Sequence, residues 1–234
     1  MKLHLLEALI SDFVSVQLKT NEVDWYYPHS MVGHFQAFWR PPEVNSLLVT
    51  YDQCLKSEYT QRWWKRDNYR PKEIMLKLIE TDPELASIAW KDLANDSSSL
   101  DGRLYRFNYY CEELLQLHRH KNALSVETYH HQDASMMSLY LAGLFPGKYS
   151  LYPGLDFFTA FCKIVGSPDI PVIDDLVRYE KVASIVFTFL QRNINFEKLS
   201  EHREADGHHV TFIPFQLSYE LMVFAGEKNK TSSR

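Results

Sequence analysis

Apolar residues recur every three to four positions along most of the chain, a spacing that predicts helices. Leu5, Leu6, Leu9, Ile10, Phe13, Val14 and Val16 form one such stripe over residues 3–18. Val44, Leu47, Leu48, Tyr51, Leu55 and Tyr59 form another over 44–60. Between them, residues 21–43 crowd Trp25, Tyr26, Tyr27, Phe35, Phe38 and Trp39 around Pro28, Gly33, Pro41 and Pro42. That composition predicts an irregular aromatic stretch with at most a short helix. Pro71 suits a first helical turn and precedes Ile74, Met75, Leu78 and Ile79. Asp82, Pro83 and Glu84 then read as a cap, a first-turn proline and a dipole-matching acid for a helix over 84–94.

Beyond the polar turn 95–99, Leu100, Leu104, Phe107, Tyr110, Cys111, Leu114, Leu115 and Leu117 predict a long helix over 99–119. Further helices are expected at 132–143, 154–165 and 171–191, the last opened by Pro171. Residues 145–153 read as a turn with a short extended piece, and 200–209 as a polar segment. Residues 210–224 fit either a final helix or a strand pair, and the tail from Glu227 is expected to be disordered. No sustained period-2 alternation is present. The fold class predicted is all-α: one multi-helix domain over 1–226, with a small irregular or β element near 205–224. A split near residues 60–70, leaving an N-terminal subdomain over 1–60, is the alternative.

Composition narrows the class without naming a function. The chain has 234 residues, 45% hydrophobic and 14% aromatic, too rich in aromatics for a disordered chain. A net charge of −5 argues against a nucleic-acid binder basic over its whole surface, and leaves room for a local patch. Three widely spaced cysteines, Cys54, Cys111 and Cys162, read as buried thiols in a reducing compartment, so a cytoplasmic location is expected. No segment is apolar for long enough to span a membrane.

Most candidate chemistries fail on spacing. The stretch from Gly143 to Tyr149 resembles a phosphate-binding loop, but its glycines are too close and Tyr149 stands where Ser or Thr must hold magnesium. His202, Asp206, His208 and His209 could surround a metal, although a solvated loop is the plainer reading. His131 and Asp133 could form an acid–base pair; local capping at a helix start explains them as well. Neither a metal, a cofactor nor a catalytic residue is expected of this chain. One cluster stands out. Lys56, Arg62, Lys65, Arg66, Arg70, Lys72 and Lys77, against Glu58, Asp67 and Glu73, give a local net charge of +4. Trp63, Trp64 and Tyr69 are interleaved with them. Cations neutralise phosphates and aromatic faces stack on bases, so Arg62, Trp63, Trp64, Lys65, Arg66 and Arg70 are the candidate DNA contacts. Burial of the two tryptophans under arginine stems is the competing explanation.

Two segments carry a family resemblance. The first is Asn68-Tyr69-Arg70-Pro71-Lys72-Glu73-Ile74, running into Thr81-Asp82-Pro83-Glu84-Leu85 and on to Cys111-Glu112-Glu113-Leu114-Leu115. The second starts at Tyr129-His130-His131-Gln132-Asp133-Ala134-Ser135-Met136-Met137-Ser138-Leu139-Tyr140-Leu141. It continues through Phe145-Pro146-Gly147-Lys148-Tyr149-Ser150-Leu151-Tyr152 to Phe161-Cys162-Lys163-Ile164-Val165-Gly166. Over roughly residues 60–225 the chain resembles the helical region preceding the motor in McrB-like AAA+ ATPases of modification-dependent 5-methylcytosine restriction systems. The resemblance implies a non-catalytic module that contacts DNA, or couples target recognition to AAA+ motor and nuclease subunits. It implies either a segment of a longer ATPase or a stand-alone relative. His130, His131, Gln132 and Asp133 form its motif block, of unassigned role. Two other readings compete with it. One is a pure interaction or oligomerisation module using the aromatics of 25–39. The other is a hydrolase built on His131 and Asp133.

Overall fold

Leu6, Leu9, Ile10, Phe13 and Val14, the heart of the first stripe, share the buried face of α1 (Leu3–Gln17). The same agreement between apolar spacing and burial runs through the computed structural model. It describes residues 1–19, 26–41, 43–122, 124–125, 127–205 and 210–232, with side chains to 230. Among the described residues there are twelve α-helices and no strand, only an isolated bridge between Arg66 and Tyr69. The chain is all-α, as its periodicity predicts. Among the described residues no helix is long and apolar enough to cross a membrane.

The backbone groups into two compact units: Met1–Gly33 with Phe145–Arg234, and His34–Leu144. Residues 60–70, where the sequence suggests a split, lie inside the second unit. α2 (Tyr26–Phe38) carries the boundary and is a full helix in the stretch expected to be irregular. Pro28 falls in its first turn, where its missing N–H costs nothing.

The second unit holds α3 (Leu47–Cys54), α4 (Glu58–Trp64), α5 (Pro71–Thr81), α6 (Pro83–Leu93), α7 (Leu100–Lys121) and α8 (Ala134–Leu144). Their ends follow the capping signals. Ser57, Asp82 and Ser99 accept from the backbone N–H of Thr60, Leu85 and Gly102. α7 packs on both α5 and α6. The core centres on Trp90, whose ring lies 4.8 Å from Trp39, 5.5 Å from Tyr51, 5.3 Å from Phe107 and 4.7 Å from Tyr140. Arg103 is wholly buried and donates from Nε and Nη2 to the Leu93 carbonyl, satisfying the C-terminus of α6.

The first unit holds α9 (Leu155–Ile164), α10 (Leu176–Gln191), α11 (Phe196–Ala205) and α12 (Leu217–Ser232), together with α1. Three expectations are corrected here. The helix predicted from Pro171 starts at Leu176, because Asp175 caps it through Arg178 N–H. Val172 and Ile173, apolar residues within the expected helix, are 82% and 71% exposed. Residues 210–224 form no strand pair: a 3-10 turn at Pro214–Gln216 leads straight into α12. Residues 227–232 of the tail expected to be disordered continue that helix. Lys230 Nζ lies 4.6 Å from the centre of the Phe157 ring, Lys228 pairs with Asp12, and Gly226 lets Phe157 pack against the helix backbone.

Candidate functional site

The two blocks singled out from sequence, 62–70 and 130–133, meet within the second unit. α4 ends on Trp63 and Trp64, and the chain then turns through Lys65–Arg70 into α5. Asn68 takes φ +58° in that turn, a left-handed conformation that Asn tolerates. The tryptophans are anchors. Trp63 and Trp64 are 7% and 9% exposed. Trp63 Nε1 donates to the Ser135 carbonyl at 3.1 Å and Trp64 Nε1 to the Leu55 carbonyl at 3.3 Å. Neither ring offers a face for a base to stack on, so these two leave the predicted DNA-contact set. Burying them against α8 and the α3–α4 turn is worth more than leaving large apolar faces in water.

The cations divide into two groups. Lys72 is buried, with Nζ 2.8 Å from Asp52 Oδ1 and 3.0 Å from the Asp52 carbonyl, and it lies over Trp64. Arg70 and Lys77 both reach Glu127, at 3.2 and 2.9 Å. Burial works to raise the Glu127 carboxyl, but Lys77 and Arg70 outweigh it and hold the group below the usual carboxylate range. Arg62, in the last turn of α4, and Lys65 and Arg66, on the turn that follows, are exposed. Arg66 Nη2 donates to the Trp63 carbonyl at 3.0 Å, and its guanidinium stands 5.2 Å from the centre of the Tyr69 ring.

The block 130–133 is a clamp. Gln132 is fully buried and donates from Nε2 to the carbonyls of Pro71 at 2.9 Å and His130 at 3.0 Å. Its Oε1 accepts from the Tyr140 hydroxyl at 2.6 Å, which also meets Tyr51 Oη at 2.9 Å. The Gln132 N–H donates to His130 Nδ1 at 3.0 Å, leaving Nε2 of that ring 3.8 Å from Glu112 Oε2. Burial lowers the His130 basicity more than Glu112 restores it. Asp133 Oδ1 accepts from the Tyr69 hydroxyl at 2.8 Å and from the Met136 N–H at 3.1 Å, the local cap of α8. Gln132→Leu should therefore cost about 3 kcal/mol, because two carbonyls and a hydroxyl lose partners in a dry interior. Urea denaturation measures it; a loss below 1 kcal/mol would show that water reaches the site.

His131 takes φ +57° and sets its ring edge-on to Tyr69 and Tyr129, 5.6 and 5.1 Å between centres. Asp133 is committed to Tyr69 and to the cap, and His131 is engaged with rings, so the pair lacks the hydrogen bond an acid–base dyad needs. Among the described residues no three His, Cys, Asp or Glu side chains are grouped to hold a metal. Asp206, His208 and His209 lie outside the described residues. Gly143 sits inside α8 against the Phe35 ring, so the stretch from 143 to 149 does not form a phosphate loop. Cys54, Cys111 and Cys162 are free and buried, and burial pushes the Cys54 thiol up to about 12. Of the aromatics of 25–39, Phe35 is buried and Trp39 packs on Phe35 and Trp90, while Phe38 is exposed. Trp25 lies outside the described residues.

Sequence reasoning did not single out Glu127, Lys77 or Tyr129 as site residues. Glu127 shows no periodic signal, and only its position beside α5 explains its role. Comparison with known protein families, curated proteins and solved structures finds no significant match.

Proposed function

We propose that this chain is a non-catalytic helical module of a restriction or defence system built on a McrB-like AAA+ ATPase. Its task is to contact DNA and couple that contact to motor and nuclease subunits. The observation that carries the reading is the exposed set Arg62, Lys65 and Arg66. Arg62 closes α4 and Lys65 and Arg66 follow on the turn, beside two buried tryptophans, so the cations project from an anchored base. Such an arrangement suits phosphate contacts, which position a duplex or strand without reading its sequence. The resemblance over residues 60–225 supplies the system, and it makes a second claim that can be checked. A reading frame for an AAA+ motor should lie in the same gene or beside it.

Lys65→Glu combined with Arg66→Glu should weaken DNA binding at low salt by roughly ten-fold or more. It should also flatten the dependence of log affinity on log salt by about 0.9 per lost phosphate contact. Fluorescence anisotropy with a labelled oligonucleotide across a salt series reads both. If the unmodified protein shows no salt-dependent binding, the DNA contact is refuted and the reading retreats to an interaction module.

A further inference from the structure

A line of ring contacts leads from the cationic turn to an exposed aromatic surface. The Arg66 guanidinium lies over Tyr69, Tyr69 meets the edge of His131, and His131 meets Tyr129. Tyr129 is 47% exposed, unlike Trp63 and Trp64. Charges of both signs lie along this line, in different proportions at its two ends. At the ring end, Asp133 is occupied by the Tyr69 hydroxyl and the Met136 N–H, and Glu127 by Arg70 and Lys77. Glu112, 3.8 Å from His130 Nε2, adds negative charge there. The carboxylates of Asp133, Glu127 and Glu112 outnumber the cations Arg70 and Lys77 there, so that end is the poorer place for a phosphate and suits the uncharged face of a base. At the other end, Arg62, Lys65 and Arg66 favour the phosphates.

The ring is also held in advance. Its backbone belongs to the segment that Gln132 clamps to the Pro71 carbonyl, next to His131 at φ +57°. Little freedom is left to lose when a ligand arrives. We infer that Tyr129, packed against the rings of His130 and His131, is the stacking surface for a base of single-stranded DNA whose phosphates run along Arg62, Lys65 and Arg66. This inference rests on the DNA-contact reading above and replaces the tryptophans as its aromatic component.

Anisotropy on an oligothymidylate and on an abasic oligonucleotide of equal length separates stacking from charge. The unmodified protein should bind the oligothymidylate about ten-fold more tightly, the scale of one stacked base. Tyr129→Ala should reduce that affinity to the abasic level and leave the salt slope unchanged, while Tyr129→Phe should bind as the unmodified protein does. Lys65→Glu with Arg66→Glu should weaken both ligands and flatten both slopes. Equal affinity of the unmodified protein for the two ligands would overturn the inference, as would a preference that survives Tyr129→Ala; the DNA contact would stand in either case. Failure of the unmodified protein to bind either ligand would overturn both.

Discussion

Glu220→Leu is expected to destabilise the protein by about 3–5 kcal/mol, because it removes one partner of a buried ion pair. Glu220 lies between two groups of the first unit. Its Oε1 is 2.8 Å from His29 Nε2 and its Oε2 is 3.0 Å from Arg203 Nη2. All three side chains are buried, and Arg203 also reaches Gln17. The proton arrangement follows from the backbone. The Ile213 N–H donates to His29 Nδ1 at 3.0 Å, so that nitrogen is an acceptor and the ring proton sits on Nε2, aimed at Glu220. Removing the carboxylate takes the Glu220 charge away from the guanidinium and the acceptor away from Nε2–H. Glu220→Gln keeps an acceptor and loses the charge, so its cost should be smaller. Chemical denaturation of both variants with an unchanged m-value tests the order. A Glu220→Leu variant within 1 kcal/mol of the unmodified protein would show that the triad is hydrated and contributes little.

Glu180→Gln should act in the opposite direction and stabilise the protein on the order of 2 kcal/mol at neutral pH. Glu180 on α10 is buried, with Oε2 accepting from the Ser150 N–H at 3.1 Å and Oε1 without a partner. Burial pushes its carboxyl well above the ordinary range, and the Ser150 hydrogen bond only partly opposes that. The folded state thus keeps a proton that the unfolded chain releases. Stability is fully present below the ordinary carboxylate range and declines as pH rises, by about 1.4 kcal/mol per pH unit, until the raised value is reached. Gln resembles the neutral acid in shape and has no proton to lose, so it should remove this slope. Melting temperatures from pH 5 to pH 8 should diverge, with the variant ahead at the alkaline end. Parallel profiles would mean that Glu180 already ionises normally in the folded protein.

The elements easiest to read were those whose signals are local. Asp82 with Pro83, and Ser99 before Leu100, mark helix starts because a cap acts within three residues of itself. The stripes of α1 and α7 could be read because one buried face repeats with the helical turn. The start of α10 was misplaced because Val172 and Ile173 continue an apolar spacing that is never used for packing. Only the cap of Asp175 settles where that helix begins. Helix beyond Glu227 was invisible for the opposite reason: its support, Phe157 and Asp12, lies far away in the chain.

The candidate site divides along the same line. That 62–70 is basic and aromatic, and that 129–133 is a dense polar and aromatic block, is written in the residues. Their convergence is not. Trp63 can be buried because the Ser135 carbonyl satisfies its N–H, the Glu127 charge is paired because Arg70 and Lys77 arrive beside it, and Gln132 is a clamp because Pro71 presents a carbonyl to it. The sequence alone determined the all-α class and the helices marked by a local cap or a clear stripe, because backbone spacing and capping are interactions between near neighbours. The tertiary structure alone decided which aromatic rings and which charges face water, because burial depends on partners tens of residues distant that no local pattern encodes.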